Sequence, residues 1–262
     1  MRAFISKFGS YIIAGLVNTG RGSLLLRSVV VQLPYAWKMR REIYEQMHIV
    51  AIGSLPLVVT TSIFVGAVTA VQAVYQMQAF VPMKFLGVMI SKTVFIELGP
   101  VLMALIVGSR LCANYAAEMG TMKVTEQLDA MSIMAIDPVR YLAMPRFVAA
   151  VLMMPVITIL CDVIAVFGAF VVSVGTLDVT AGTFIEGLQI FYKDSDLLGG
   201  LSKSFIFGGI IALSGTYFGF NTEGGAEGVG KATMTAVVGS CLSILVADYF
   251  MAILLFQIIF KK

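Results

Sequence analysis

Charged residues are scarce in this chain of 262 residues, where Asp, Glu, Lys and Arg make up 13% of the sequence. Soluble domains carry about 25% charged residues, so this chain has too little charge to cover a surface that faces water. Hydrophobic residues make up 59% of the sequence. Because a surface that faces lipid needs no charge, the composition predicts a membrane protein with about five spans of ~20–25 residues.

The sequence also lacks the residue patterns of most enzymes and metal sites. His48 is the only histidine, and the cysteines, Cys112, Cys161 and Cys241, lie apart in apolar segments. The absence of C-x-x-C, H-E-x-x-H and G-x-S-x-G patterns argues against a disulfide framework, a metal site and an intramembrane hydrolase. The formal net charge of +3 is too small to indicate nucleic acid. We therefore predict a chain that is not an enzyme and has no metal or cofactor of its own.

A glycine-rich segment, residues 224–233, comes close to the phosphate-binding pattern G-x4-G-K-[ST]. Ala232 stands where that pattern needs a hydroxyl group for Mg²⁺, and an apolar helix precedes the segment where a core strand is required. We interpret the segment as a flexible or closely packed turn between two spans.

Apolar segments predict five membrane spans, at residues 49–74, 85–117, 147–174, 204–220 and 233–260. Pro100 interrupts the second span, because proline has no N–H to donate and kinks or breaks a helix. A short helix is expected at 183–192, within the polar stretch between the third and fourth spans. The predicted fold is all-α and polytopic, with a single transmembrane domain over residues 46–262.

The N-terminal region, residues 1–45, is basic and amphipathic. Seven of the eighteen Lys and Arg residues precede residue 42, and apolar residues recur at Phe4, Ile5, Phe8, Ile12, Ile13 and Leu16. This pattern predicts a helix lying on an anionic membrane surface, with an organellar transit peptide as the alternative. The excess of basic residues on one side places the N-terminus and the 118–146 loop inside.

Charges within apolar spans are the first candidates for function, since each costs about 2.5–3.5 kcal/mol at the membrane centre. They are Lys92, Glu97, Arg110, Asp162 and Asp248. Glu97 lies beside the Gly99–Pro100 interruption, where it either joins two helices or lines a polar cavity. Asp162 and Asp248 are interpreted as structural charges inside the bundle.

Residues 118–137 are too polar to span a membrane and have helical spacing, with Met122, Thr125, Leu128 and Met131 on one narrow face. A permease without a nucleotide site needs an intracellular element on which a soluble motor acts. A short helix in this loop suits that role. The alternative is an ordinary helix at the membrane surface.

Several motifs, in this order and spacing, resemble the MlaE/YrbE family of permeases. They are 97–102 (ELGPVL), 117–122 (AEMGTM), 124–130 (VTEQLDA), Asp137–Pro138, Pro145–Arg146, 224–233 (GGAEGVGKAT), 236–238 (AVV) and Asp248. The resemblance extends from about residue 50 to the end of the chain.

The resemblance implies a homodimeric permease subunit of an ABC transporter that moves phospholipid or a related lipid between inner and outer membranes. The implied partners are a cytoplasmic ATPase, an MCE-domain protein and a small STAS-type subunit. The implied location is a bacterial inner membrane, with a plastid inner envelope as the alternative. The helix around 118–134 would contact the ATPase through Glu118, Lys123, Glu126, Gln127 and Asp129. Glu97, Leu98 and, as a weaker candidate, Lys203 would line the lipid cavity.

The chain departs from the family pattern at Ile96, where some members carry Arg directly before the glutamate. With Ile96 at this position, the chain lacks a cation that could bind the phosphate of a lipid headgroup. Two other functions remain open from the residues alone: a secondary transporter that couples ions to the span carboxylates, and a scaffold that anchors other membrane proteins.

Overall fold

The computed structural model describes residues 20–77, 82–177, 179–190 and 193–258. These residues form helices joined by short connections, and none of them is in a strand. The predicted all-α fold is therefore confirmed. The apolar repeat of the first sixteen residues, on which the surface helix was predicted, lies outside the described residues.

From residue 20 onward, two α-helices precede the first span. Residues 20–32 form α1, and Arg40–Ile52 form α2. Val29 of α1 and Ile43 of α2 are buried together with residues at the start of the third span. The connection after α2, at Gly53 and Ser54, lies under the guanidinium of Arg110, whose Nη1 donates to Ser54 Oγ at 2.8 Å.

Among the described residues, five helical segments are long and apolar enough to cross a membrane, as predicted. The first is α3, Leu55–Met77. The second contains α4, Leu86–Thr93, a π-helical turn, Val94–Leu98, and α5, Gly99–Val124. The other three are α7, Met144–Thr176, with the π-helical turn Val139–Ala143 before it, α9, Asp194–Phe220, and α10, Gly225–Ile258.

Two short α-helices lie in the described parts of the connections between spans. Gln127–Ile133 form α6, between α5 and α7. Ala181–Gln189 form α8, between α7 and α9, and the side chain of Thr180 caps its first turn. Because α7 crosses the membrane between them, α6 and α8 lie on opposite sides of it.

The helix α5 packs against both α9 and α10, which also contact each other, while α3 packs along α7. Glycines allow close approach at several crossings. A Cβ at Gly66 would overlap the backbone of Ala165, and one at Gly208 would lie 2.5 Å from the carbonyl oxygen of Ala150. Small residues at helix crossings are typical of membrane bundles, where van der Waals packing rather than hydrophobicity holds helices together.

The structure corrects three predicted boundaries. The first span begins at Leu55 rather than residue 49, because the chain breaks at Gly53–Ser54. The fourth span begins at Asp194 rather than residue 204. The fifth begins at Gly225 rather than residue 233, so most of the glycine-rich segment is helical. Its turn is limited to the residues around Gly224, whose φ of +89° is readily adopted by glycine.

Candidate functional site

Three charged side chains from three different spans meet inside the bundle. The Nζ of Lys203, on α9, donates to Glu97 Oε1 at 2.7 Å. The same Nζ lies 2.9 Å from Asp248 Oδ1, on α10, without the alignment of a hydrogen bond. We call Glu97, Lys203 and Asp248 the ion triad. It ties the turn before α5 to α9 and α10.

The three members of the ion triad differ in exposure. The side chain of Lys203 is 0% exposed, that of Asp248 is 21% exposed and that of Glu97 is 40% exposed. The cation is therefore enclosed, and the carboxylates form the outer surface of the cluster. Lys203 lies nine residues after the start of α9 at Asp194, or about 14 Å along the helix axis.

The π-helical turn that carries Glu97 follows from the sequence around Pro100. The N–H of Gly99 donates to the carbonyl of Val94, which gives the wider turn. Pro100 has no N–H, so the carbonyl of Ile96 loses its usual helical donor. The predicted interruption at Gly99–Pro100 is therefore present as a π-helical turn, a feature that often occurs at functional sites.

A second ion pair lies closer to the α8 end of the bundle. Lys92 Nζ, on α4, is 3.4 Å from Asp196 Oδ2 in the first turn of α9. The Asp196 side chain is only 3% exposed, whereas that of Lys92 is 39% exposed. This pair fastens the short helix α4 to α9.

Asp162 is buried on α7, and neither of its carboxylate oxygens has a hydrogen-bond partner among the residues that the structure describes. Its Oδ1 lies against Gly99, where a Cβ would overlap it. Asp162 therefore packs beside the π-helical turn but makes no ion pair with the ion triad.

The opposite end of α5 carries a different set of charges. Glu118 pairs with Arg146, whose side chain is 5% exposed and also donates from Nη1 to the carbonyl of Leu142 at 2.8 Å. Lys123 Nζ lies 3.0 Å from Asp129 Oδ1 across the break between α5 and α6. Glu126 forms that break with a left-handed φ of 59°.

The structure divides the residues predicted for an ATPase-contacting helix between two elements. Glu118 and Lys123 belong to the end of α5, and Glu126 to the break, whereas Gln127 and Asp129 belong to α6. The prediction of one helix over 118–134 is therefore wrong. Glu126 separates α5 from α6, because an α-helix cannot continue through its left-handed conformation.

The structure brings two of the predicted cavity residues, Glu97 and Lys203, into direct contact. Lys203 lies within the fourth span, not in the polar stretch before it. Leu98 faces elsewhere and lines an open groove of about 260 Å³ between α3 and α4. Asp248, interpreted from the sequence as a separate structural charge, joins the ion triad.

Sequence reasoning did not single out Asp196 or Arg146 as ion-pair partners. The sequence did contain a helical pattern at the start of α9. Buried residues recur there at steps of three and four, at Asp196, Gly200, Lys203 and Phe207. The charges in this stretch gave it a polar composition, which concealed the helical period.

Comparison with known proteins identifies this arrangement of spans. The family model described as Permease MlaE matches residues 43–254. The chain belongs to the MlaE permease family. This permease is 34% identical over 254 residues to a probable ABC transporter permease protein of Rickettsia bellii, which covers 97% of this chain and 93% of the relative.

Two further relatives are proteins of other bacteria. It is 31% identical to the intermembrane phospholipid transport system permease protein MlaE of Haemophilus influenzae, over 97% of each chain. It is 38% identical to a probable ABC transporter permease protein of Synechocystis sp., over 83% of each chain. The predicted family is thus confirmed, and the chain is a multi-pass membrane permease.

Proposed function

We propose that this permease is the membrane subunit of an ABC transporter that moves phospholipid between a bacterial inner membrane and an outer membrane. The observation that carries the proposal is the alignment with the Haemophilus influenzae relative, named for intermembrane phospholipid transport, over 97% of both chains. The ion triad is the polar feature that a lipid headgroup would meet inside the bundle.

ATP hydrolysis belongs, in this proposal, to a separate cytoplasmic ATPase that binds the α6 side of the permease. At the end of α6, Ile133 is 87% exposed and the next residue, Met134, is 63% exposed. Outside the spans, exposed apolar side chains of this size are typical of protein contacts. Gln127 and Asp129 add polar groups on the same helix, while Glu118, paired with Arg146, serves the fold instead.

A second copy of the chain would complete the lipid cavity. In the apolar 18-residue stretch of α10 that can cross the membrane, only 11% is buried. The corresponding stretches of the other four spans are 33–44% buried. Because Asp248 lies on α10, a partner packed along this helix would stand beside the ion triad. An MCE-domain protein on the α8 side, and a STAS-type accessory subunit beside the ATPase, complete the proposed assembly.

The test is purification of the full chain from its own membrane in mild detergent, followed by native mass spectrometry. The proposal predicts two copies of the chain, together with two copies of an ATPase subunit. A preparation that is complete without any nucleotide-binding partner would contradict it and would favour an ion-coupled transporter or a scaffold.

Lipid transfer is tested on the same complex, reconstituted into vesicles. Glu97→Lys places a second cation beside Lys203, and we expect it to impair ATP-dependent lipid transfer without preventing assembly. Normal transfer by this variant would remove Glu97 from the proposed path.

A further inference from the structure

The ion triad presents negative charge to any molecule that reaches it. Lys203, its only cation, is fully enclosed, while Glu97 is 40% exposed. Glu97 accepts the Lys203 hydrogen bond through Oε1 alone. No hydrogen bond from any described residue occupies Glu97 Oε2, so a ligand that enters here meets a carboxylate oxygen that is open to a donor.

The charges of the ion triad do not cancel. One ammonium group faces two carboxylates, which leaves a net charge of −1 when all three groups are ionised. The neighbouring pair on α4 and α9, Lys92 with Asp196, is neutral as a unit. Asp162 adds no positive charge, and Arg110 lies further along α5 beside Ser54. Among the described residues of these spans, none offers a spare cation to Glu97.

An unbalanced negative charge inside a membrane protein is costly, so an occupant that supplies a positive charge is favoured. The residue before Glu97 is the apolar Ile96, which cannot bind a phosphate group. A headgroup whose only charge is a phosphate would therefore meet repulsion from Glu97 and Asp248. A headgroup that ends in an ammonium group would instead place a positive charge next to Glu97 and donate a hydrogen bond to Oε2.

We propose that Glu97 selects phospholipids whose headgroup carries a primary ammonium group over phospholipids whose headgroup is only anionic. The inference rests on the proposed function, because it names the lipid class that the transport cavity accepts. The ammonium group binds Glu97 Oε2, while the enclosed Lys203, itself in contact with Asp248, holds Glu97 in place. The lipid phosphate lies away from the ion triad, toward the cavity opening.

A proton bound to Glu97 or Asp248 is the competing way to neutralise the ion triad. In that case the site has no unbalanced charge and shows no preference among headgroups. The two cases are therefore separated by the composition of the bound lipid.

The experiment places the complete transporter complex in vesicles of equal parts phosphatidylethanolamine and phosphatidylglycerol. The complex is recovered in mild detergent, and the lipids that remain bound are quantified by mass spectrometry. We expect phosphatidylethanolamine to be enriched about tenfold over phosphatidylglycerol, near the lower end of what one charge-assisted hydrogen bond supplies. Glu97→Gln, which keeps the shape and removes the charge, should return the ratio to about one.

Glu186→Gln is the matched control, because Glu186 is an exposed carboxylate on α8 that makes no ion pair with any described residue. It should keep the enrichment of the unaltered permease. Ile96→Arg gives a second, independent test by adding a cation beside Glu97, and it should shift the bound lipid toward phosphatidylglycerol. If Glu97→Gln does not fold, the lipid bound to Ile96→Arg tests whether charge at this site sets the headgroup preference.

Bound lipid without headgroup preference in the unaltered permease would overturn the inference and leave the transport function standing. An enrichment that both Glu97→Gln and Ile96→Arg retain would also overturn it. A complex that retains no lipid and transfers none would instead contradict the proposed function.

Discussion

The carbonyl oxygen of Phe95 lies directly against the Cα of Gly200, with no space between them for a side chain. In a regular helix this carbonyl would accept from Gly99, but Gly99 donates to Val94 instead. The Phe95 carbonyl faces α9 at Gly200. Gly200 therefore brings α9 close enough for Lys203, one turn later, to reach Glu97.

Gly200→Ala should destabilise the permease, because the new Cβ would overlap the Phe95 carbonyl and lie 3.1 Å from Pro100 Cγ. Overpacking of this kind costs about 1–3 kcal/mol. The neighbouring Gly199→Ala is the control, since its Cβ would meet only Leu255 Cδ1 at 3.8 Å. Thermal unfolding in detergent should show a lower midpoint for Gly200→Ala alone, and equal midpoints would contradict this packing.

Lys203→Met should destabilise the permease more strongly than Glu97→Gln or Asp248→Asn, the changes that neutralise its two partners. It leaves the Glu97 and Asp248 carboxylates facing each other without a cation, and loss of one partner of a buried ion pair costs about 3–5 kcal/mol. Adding Glu97→Gln and Asp248→Asn to Lys203→Met removes the repulsion and should recover part of the loss. The midpoints of unfolding test both statements. A triple variant no more stable than Lys203→Met would show that charge balance is not the cause.

Glu118→Ala and Arg146→Met should have unequal effects, although they break the same ion pair. Arg146 is 5% exposed and Glu118 is 53% exposed, so Glu118→Ala strands a buried cation whereas Arg146→Met leaves a carboxylate that water can reach. We expect losses of about 3 kcal/mol and about 1 kcal/mol, respectively. Unfolding measurements on both variants and on the double variant check that Glu118→Ala causes the larger loss. If Glu118 served only to bind the ATPase, its replacement would not lower the stability of the isolated permease.

Ile133→Asp should weaken retention of the ATPase subunit without unfolding the permease. The side chain is 87% exposed at the end of α6, so a charge there disturbs a partner rather than the core. The same change at Ile185 of α8, which is 48% exposed, lies on the other side of the membrane and serves as the control. The ratio of ATPase to permease after affinity purification is the readout. Equal ratios for both variants would place the ATPase contact elsewhere.

Five spans and their order were predictable from the sequence, because long apolar runs have few alternatives to crossing a membrane. Charged residues inside spans were the main source of error. The start of α9 resembled a loop because it contains the charged residues Asp194, Asp196 and Lys203. A hydropathy profile counts each charge as unfavourable for a span, whether or not that charge is paired in the fold. In the fold, Asp196 and Lys203 pair with charges on other helices. Those partners are distant in the sequence, so the local pattern does not reveal them.

The candidate site was predictable only in part. Glu97 was recognisable because it stands beside the Gly99–Pro100 interruption, a local feature. Its contact with Lys203 joins positions 106 residues apart, and the sequence alone does not show which residues of different spans meet. The division at Glu126 was also hidden, because the positive φ at that position belongs to a residue other than glycine.

The unbroken length of α5 connects the two ends of the permease. Its 26 residues run from Gly99, next to Glu97, to Val124, just before α6, a distance of about 39 Å. We expect a helix of this length, packed against both α9 and α10, to move as a rigid unit. In the proposed transporter, a displacement of α6 that tilts α5 would shift Gly99 against Asp162 and Glu97 against Lys203 together, so a change at one end of the permease would be transmitted to the other.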